Sequence, residues 1–308
     1  MRFQPRDLQI LIDIYKHDGV VAKRHLKEKY WLGKTERAME QRLAKLVNAD
    51  YLSRPTREQR RSQPIPEPVF WLGWQGILSV AGHYGIKIDP PKSDNEYQLR
   101  SFQKKLRDAG IRWVREPRWI QLAHDISVID FKMAIEKSLE NLSNLFLKEW
   151  VSEGSFRSDM DVVVYTIQDK YGKEKQIKKG ICPDGYFEIV DEVRKRRGEQ
   201  CSASFLLEID MATHDNPSFG REKVIPGIEY IRSTQYKKRF GSNGGFWLIV
   251  TKGQKTRLKN LMKQVKDFAL NDSSLFFFTT IDEIHNVNLF TEPVWHQVDI
   301  DRPVALLE

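Results

Sequence analysis

The sequence predicts a mixed α/β protein of two domains, a small helical domain followed by an α/β/α sandwich with a central mixed sheet. Two observations support this class. Short apolar patterns of helical spacing fill the first 90 residues, and after Gln121 apolar runs of strand length alternate with amphipathic helices. A chain of 308 residues is long enough for two domains. The predicted divisions are a domain at 1–90, a connecting segment at 91–120 and a domain at 121–308.

The first third of the chain predicts three helices and a hairpin. The segments "RFQPRDLQILIDIYKHDG", "VAKRHLKEKY" and "KTERAMEQRLAKLVNADYL" have helical apolar spacing. A polar, basic and proline-punctuated segment then runs between apolar Tyr51-Leu52 and Val69-Phe70-Trp71, as in a hairpin. This order is typical of a winged helix-turn-helix. In the third helix we expect these apolar side chains to face inward: Ala38, Met39, Leu43, Leu46 and Val47.

Basic residues are concentrated in the same third. The net charge is +8, and the residues up to Pro90 contain sixteen Lys or Arg against ten Asp or Glu. Such an excess favours a polyanionic partner, here double-stranded DNA. The polar face of the third helix would enter the major groove with Arg37, Gln41, Arg42 and Lys45. The hairpin would contact backbone phosphates with Arg54, Arg57, Arg60 and Arg61. The alternative is a domain for protein contacts or homodimerisation, using the next helix, "WQGILSVAGHYGI".

The composition predicts a soluble cytoplasmic protein. No apolar run approaches the roughly 20 residues of a bilayer span, so no membrane partner is expected. The first ten residues carry charge where a signal peptide would be apolar. Cys182 and Cys201 show neither CxxC spacing nor paired histidines, so free thiols are expected rather than a zinc site.

The second domain is predicted to begin with a long helix from Gln121 to about Glu153. Its apolar stripe, Ile135, Leu139, Leu142 and Phe146, continues onto Glu149 and Glu153. A carboxylate on such a stripe needs a metal ion or a basic partner, unless the last turn frays into solvent.

Three strands are predicted next, at Asp161–Ile167, Gly185–Val190 and Ala203–Asp210. A helical stretch interrupted at Pro226 follows, and then a strand "GFWLIVT", an amphipathic helix and a strand "SLFFFTT". The basic turn "VRKRRGEQ" between two of the strands is either a DNA contact near the site described next or a solvated turn.

Two of these strands each carry a carboxylate at one end. Asp184 opens "DGYFEIV" and Glu208 closes "FLLEID", so antiparallel pairing would bring the two acids together. Acids on adjacent strands can hold Mg²⁺ for phosphodiester hydrolysis, and a lysine commonly stabilises the charge that develops on the phosphate.

The motifs "PDGYF", "LLEIDMAT" and "REKVIPGIEY", placed after a winged helix, resemble the replication-relaxation family of plasmids and integrative elements. The second domain of that family is related to the PD-(D/E)XK nucleases. The resemblance implies Asp184 and Glu208 as ligands of Mg²⁺ or Mn²⁺, and Glu153 or Glu149 as a further acid. Asp210 stands where the usual lysine would be, which leaves Lys223 as the candidate lysine. Asp210 would then be a third metal ligand or cap the next turn, and His214 would be a base or a solvated loop residue.

Three functions follow as hypotheses. The first is a DNA-binding accessory or regulator of replication or transfer on a mobile element, with replication or conjugative-transfer proteins as partners. The second is a Mg²⁺-dependent endonuclease or nickase that uses Asp184, Glu208, Lys223 and Glu153 as catalytic residues. The third is a transcriptional regulator whose second domain dimerises.

Overall fold

The computed structural model describes residues 2–17, 19–90, 95–112, 116–168, 172–212 and 216–307. The predicted mixed α/β class, with a large mixed sheet, is confirmed. The chain divides into two compact units, Met1–Ile129 and Asp130–Glu308. This division differs from the predicted one, because the segment predicted as a connection falls within the first unit. His214 lies outside the described residues. Among the described helices, none has the length and apolar character needed to cross a membrane.

The first unit is a set of helices around a small sheet. In chain order its elements are α1 (Pro5–Lys16), β1 (Val20–Ala22), α2 (Lys23–Tyr30), α3 (Glu36–Asn48), β2 (Leu52–Ser53), α4 (Gln59–Ser62), β3 (Val69–Leu72), α5 (Trp74–His83), α6 (Glu96–Asp108) and the start of α7 (Leu122–Glu140). The strands form an antiparallel sheet in the order β1-β3-β2. The predicted order of three helices and a hairpin is therefore present, with a short helix inside the hairpin.

The start of helix α3 is fixed by an N-cap residue, and its orientation by its apolar face. The Thr35 hydroxyl accepts a hydrogen bond from the Ala38 amide, as an N-cap residue does. The buried side chains on this helix are Met39, Leu43 and Leu46. The prediction for Ala38 was wrong, because this residue is exposed in the first turn. It lies one position before Met39, and neighbouring helical residues point about 100° apart.

Helices α5 and α6 are integrated into the first unit. The buried face of α5 includes Ile77 and Val80, and α6 buries Leu99, Phe102 and Leu106. The Trp74 and Phe102 rings meet edge to face with centroids 5.1 Å apart. Burial of α6 explains why residues predicted to be a linker are part of a compact unit.

The second unit is built on the remainder of α7. Its further elements, in chain order, are β4 (Leu145–Ser152), α8 (Glu153–Ser158), β5 (Asp161–Gln168), β6 (Glu174–Ile181), β7 (Gly185–Asp191), α9 (Glu192–Arg196), β8 (Ser202–Asp210), α10 (Asn216–Phe219), a π-helical turn (Gly220–Val224), α11 (Ile225–Arg232), α12 (Thr234–Phe240), β9 (Phe246–Thr251), α13 (Lys255–Phe268), β10 (Phe276–Thr280), β11 (Trp295–Gln297) and β12 (Ile300–Val304). The predicted break at Pro226 is absent, because the chain stays helical from the π-helical turn into α11, with this proline in the first turn of α11.

The large sheet has seven strands in the order β12-β11-β10-β9-β8-β7-β4. Strands β4, β7 and β8 pair antiparallel, and β8, β9 and β10 pair in parallel. One face of the sheet presents Tyr186, Leu206 and Trp247 to a core completed by α11, α12 and α13. On the other face, Phe131 of α7 contacts Phe187, with ring centroids 6.2 Å apart.

The prediction of one helix up to Glu153 was wrong. Helix α7 ends at Glu140, a turn follows, and Leu145–Ser152 forms the edge strand β4. The polar residues Asn141, Ser143 and Asn144 favour that turn. Phe146, expected on the inner stripe, is 38% exposed.

Strands β5 and β6 form a separate two-stranded ribbon, from Val162 paired with Gly180 out to Gln168 paired with Glu174. The prediction of a strand at Asp161–Ile167 was correct, but the structure places this strand outside the large sheet. The basic turn predicted near the carboxylates is the short helix α9, at the opposite end of β7 from Asp184. Seven strand residues span about 23 Å, so α9 does not contact the carboxylate end of the sheet.

Candidate functional sites

An exposed polar stripe runs along α3. Arg37, Gln41 and Lys45 are exposed at intervals of four residues, on the side away from buried Met39 and Leu43. Residues four apart lie on one helical face, so the three side chains form a continuous row. The row combines two cations with an amide that can both donate and accept hydrogen bonds.

Arg42 has a different place from the one predicted. Its Nε donates to Asp7 Oδ1 at 2.9 Å, its Nη2 also pairs with the Asp7 carboxylate, and Nη2 donates to the Arg2 carbonyl at 3.0 Å. The Asp7 side chain is fully buried and that of Arg42 is 12% exposed. The hydrogen bond with Asp7 raises the pKa of Arg42. The structure therefore ties α3 to α1 through this pair, and Arg42 does not belong to the exposed stripe.

The arginines of the hairpin are all exposed: Arg54, Arg57, Arg60 and Arg61. Three of them, with Trp71 and Trp74, line an open cleft of about 520 Å³. The short helix α4 presents Arg60 and Arg61 in its single turn. The hairpin thus carries four guanidinium groups on a surface element.

Asp184 and Glu208 come together at one end of the large sheet. Gly185 pairs with Leu207, so the antiparallel register, continued by one residue, sets Asp184 opposite Glu208. Asp184 Oδ2 accepts a hydrogen bond from the Ile209 amide at 2.7 Å, which fixes this carboxylate against β8. Asp184 is 6% exposed. Tyr186 and Leu206, two residues from each acid, both face the core formed with α11 to α13, so the acids share that face.

Glu153 reaches the same end of the sheet from the other side. Ser152 pairs with Gly185, so the next residue after β4 lies beside Asp184. Its carboxylate pairs with Arg157 one turn later, with Oε1 at 2.6 Å from Nη2. The Glu153 carbonyl accepts a contact from Cys182 Sγ at 3.9 Å. Glu149 is exposed within β4, paired in register with Glu188, so the helical spacing predicted for the two glutamates was wrong.

Lys223 completes the cluster from the π-helical turn. Its Nζ lies 2.6 Å from Glu208 Oε1 and 2.7 Å from Oε2. Burial alone would lower the pKa of Lys223, but the negative charges of Glu208 and Asp184 raise it to about 12. The side chain is therefore a permanent ammonium at neutral pH, able to bind an anion but not to accept a proton. Single π-helical turns are often found at functional sites.

The cysteine beside this cluster is a free thiol, as is the second cysteine of the chain. Burial, followed by the charge of Glu153, raises the pKa of Cys182. Asp184 raises it further, while the positive charges of Arg157 and Lys223 lower it. The charges of Glu153, Asp184, Arg157 and Lys223 thus all act on this thiol.

Asp210 is occupied by a different set of contacts. Its carboxylate accepts from Thr251 Oγ1 at 2.7 Å and from Arg257 Nε and Nη2 at 2.9 and 2.8 Å. Although burial would raise the pKa of Asp210, the hydrogen bonds from Arg257 and Thr251 hold it below its ordinary value. These contacts join β8 to β9 and to the first turn of α13. The Asp210 carboxylate also accepts a hydrogen bond from the Ala212 amide, two residues on, as expected for a residue that caps the next turn. The sequence analysis did not predict Arg257 as the partner of Asp210. Its position shortly after the end of a predicted strand could have indicated it.

The acids are not gathered into a ready-made metal site. Among the residues that the structure describes, no three His, Cys, Asp or Glu side chains are placed so that they could hold one metal ion. The neighbouring cations account for this, because Arg157 and Lys223 pair with Glu153 and Glu208. No known protein-family model matches the chain, and no curated protein matches its sequence.

Proposed function

We propose that this chain is a DNA-binding accessory or regulatory protein that docks on duplex DNA with its first unit. The observation that carries the proposal is the exposed row of Arg37, Gln41 and Lys45 on α3. The order of elements around α3 resembles that of a winged helix, in which such a helix lies in the major groove. The exposed hairpin arginines would then contact the phosphates beside it. The resemblance to the replication-relaxation family supports a role in replication or transfer of a plasmid or integrative element.

The test is the salt dependence of duplex binding, measured by fluorescence anisotropy on the full chain. Each phosphate contact contributes about 0.9 to the slope of log K against log salt. Arg37→Ala with Lys45→Ala removes two cations from the interface and should therefore weaken binding and reduce the slope, by about 1.8 where each of them neutralises one phosphate. Lys104→Ala with Lys105→Ala, an equal charge change on exposed positions of α6, is the matched control. Equal slopes for the two double variants would refute docking by α3.

A second candidate function is metal-dependent cleavage of DNA by the second unit. What favours it is the adjacency of Asp184 and Glu208, with Lys223 2.6 Å from the latter. Carboxylate oxygens suit Mg²⁺ or Mn²⁺, which would supply polarisation of a phosphoryl oxygen and a hydroxide nucleophile. The Lys223 ammonium would stabilise charge on the phosphate. The order α7, β4, β7, β8, α11, β9 resembles that of PD-(D/E)XK nucleases once the ribbon is set aside.

Nicking of supercoiled plasmid in Mg²⁺ or Mn²⁺ tests this candidate. We expect activity in the wild type, loss in Asp184→Asn and Glu208→Gln, and retention in Glu222→Gln. Glu222 is a fitting control because it is the neighbour of Lys223 in the sequence and its side chain is 63% exposed. Intact plasmid with the wild type under both metals would refute metal-dependent cleavage and leave the DNA-binding proposal ahead.

A further inference from the structure

The β5–β6 ribbon is a separate element that projects from the carboxylate end of the second unit. An isolated two-stranded ribbon is marginally stable in water, so it needs support from its neighbours. Near its root, Val163 and Ile181 are buried in the core with α11. The opposite face is open, and Val164 is 53% exposed there. The ribbon is therefore held against the core on one face, while its other face is exposed at Val164.

A polar node fixes the root of the ribbon. Asp161 Oδ2 accepts hydrogen bonds from Tyr230 Oη and from Arg239 Nε, both at 2.6 Å. Gln235 Nε2 donates to the Val162 carbonyl at 3.3 Å. The last strand residue of the ribbon is Ile181, and only two residues separate it from Asp184. The ribbon is thus anchored directly beside the acid–lysine cluster of Glu153, Asp184, Glu208 and Lys223.

The ribbon carries exposed cations on both faces. Lys175 pairs in register with Ile167, and Lys178 with Val164, so their side chains leave opposite faces. Both lysines are exposed, as is Lys173, the residue before β6. Lys178 is six residues from Asp184, a span of at most about 20 Å along extended chain. One strand of B-DNA advances about 3.4 Å per phosphate, so this span corresponds to about six nucleotides.

The acid–lysine cluster itself has an unfavourable charge for DNA. Its three carboxylates outnumber their two cationic partners, Lys223 and Arg157, so a phosphate backbone near this end of the sheet needs cations from an adjacent element. The ribbon supplies them. The major groove, about 12 Å wide, admits a two-stranded ribbon.

We propose that the β5–β6 ribbon binds the phosphates of duplex DNA through Lys175 and Lys178 and holds the duplex at the acid–lysine cluster. This inference rests on the proposed DNA-binding function and extends it to the second unit. The occupant is assigned by charge complementarity, because the exposed cations lie on a ribbon whose root is next to a cluster that would otherwise repel a phosphate backbone.

The experiment compares full-length wild type with three double variants in duplex binding at increasing salt. The ribbon variant is Lys175→Gln with Lys178→Gln. Its matched control is Lys259→Gln with Lys263→Gln, which removes the same charge from exposed positions on α13 of the same unit. The third is the α3 variant Arg37→Ala with Lys45→Ala. We expect the ribbon variant to reduce the slope of log K against log salt by about 1.8, and the control to leave it unchanged.

The outcomes separate the two proposals. A slope lowered only by the α3 variant overturns the ribbon assignment and leaves docking by the first unit in place. A slope lowered only by the ribbon variant supports the ribbon and refutes the docking of α3. A polyglutamate chain that binds the wild type as tightly as the duplex, and loses that binding in the ribbon variant, would assign the ribbon to acidic proteins and overturn its assignment to DNA.

Discussion

Replacing Arg42 by alanine should destabilise the first unit rather than remove a DNA contact. The change leaves the fully buried Asp7 carboxylate without its guanidinium partner. Removing one member of a buried ion pair costs about 3–5 kcal/mol, because the remaining charge stays buried. Asp7 also accepts from the Gln4 amide at 2.6 Å, at the start of α1. This contact keeps the carboxylate in place, so it cannot turn out to solvent without losing the helix cap.

Urea unfolding with pulsed hydrogen exchange measures this loss, since peptides from α1 and α3 report the first unit separately. With an m-value of about 2 kcal/mol per molar urea, the midpoint should fall by about 1.5 to 2.5 M. Arg37→Ala, at an exposed position of the same helix, should change the free energy of unfolding by less than about 0.5 kcal/mol. An unchanged midpoint together with lost DNA affinity in Arg42→Ala would refute the structural role.

Two further predictions concern the carboxylate end of the sheet. The pKa of Asp210 lies below its ordinary value of 3.8, so its pair with Arg257 contributes stability above that pH and loses it as the pH falls through the lower folded-state value. Arg257→Met should thus lower the thermal midpoint at pH 7, and the difference from wild type should shrink below pH 3.8; a constant difference would contradict this. Lys223→Met should tighten binding of Mn²⁺ without DNA about fivefold in calorimetry, because an ammonium worth about 1 kcal/mol at a partly exposed site no longer competes for Glu208. Weaker Mn²⁺ binding in that variant would contradict the competition.

The sequence predicted well those elements whose apolar residues fit either the strand period or the helix period, but not both. Strands β7 and β8 are apolar runs bounded by polar residues, and their register follows from alternation, so the meeting of Asp184 with Glu208 was predictable. The segment "NLFLKEWVS" fits a helical stripe as well as a strand, and only pairing with β7 decides for the strand. Tertiary pairing overrides local pattern in such segments.

Other features depend on partners that are distant in the sequence. Arg42 looks like any polar residue on the outer face of α3, and its burial follows only from Asp7, 35 residues earlier. Strand β6, "EKQIKKGI", has too few β-branched and aromatic residues to predict a strand, and it exists because β5 pairs with it along eight positions. Neither contact leaves a periodic signal.

If the carboxylate end binds a divalent cation and DNA as proposed, its charges couple the two binding events. Glu208 is paired with Lys223, so a divalent cation that takes the Glu208 oxygens must release the ammonium. A phosphate arriving at the same place offers that ammonium a new partner. Each ligand therefore favours the other, and by linkage the effect is equal in both directions. In the proposed complex, DNA held by the ribbon would draw Lys223 away from Glu208 and leave that carboxylate to the cation.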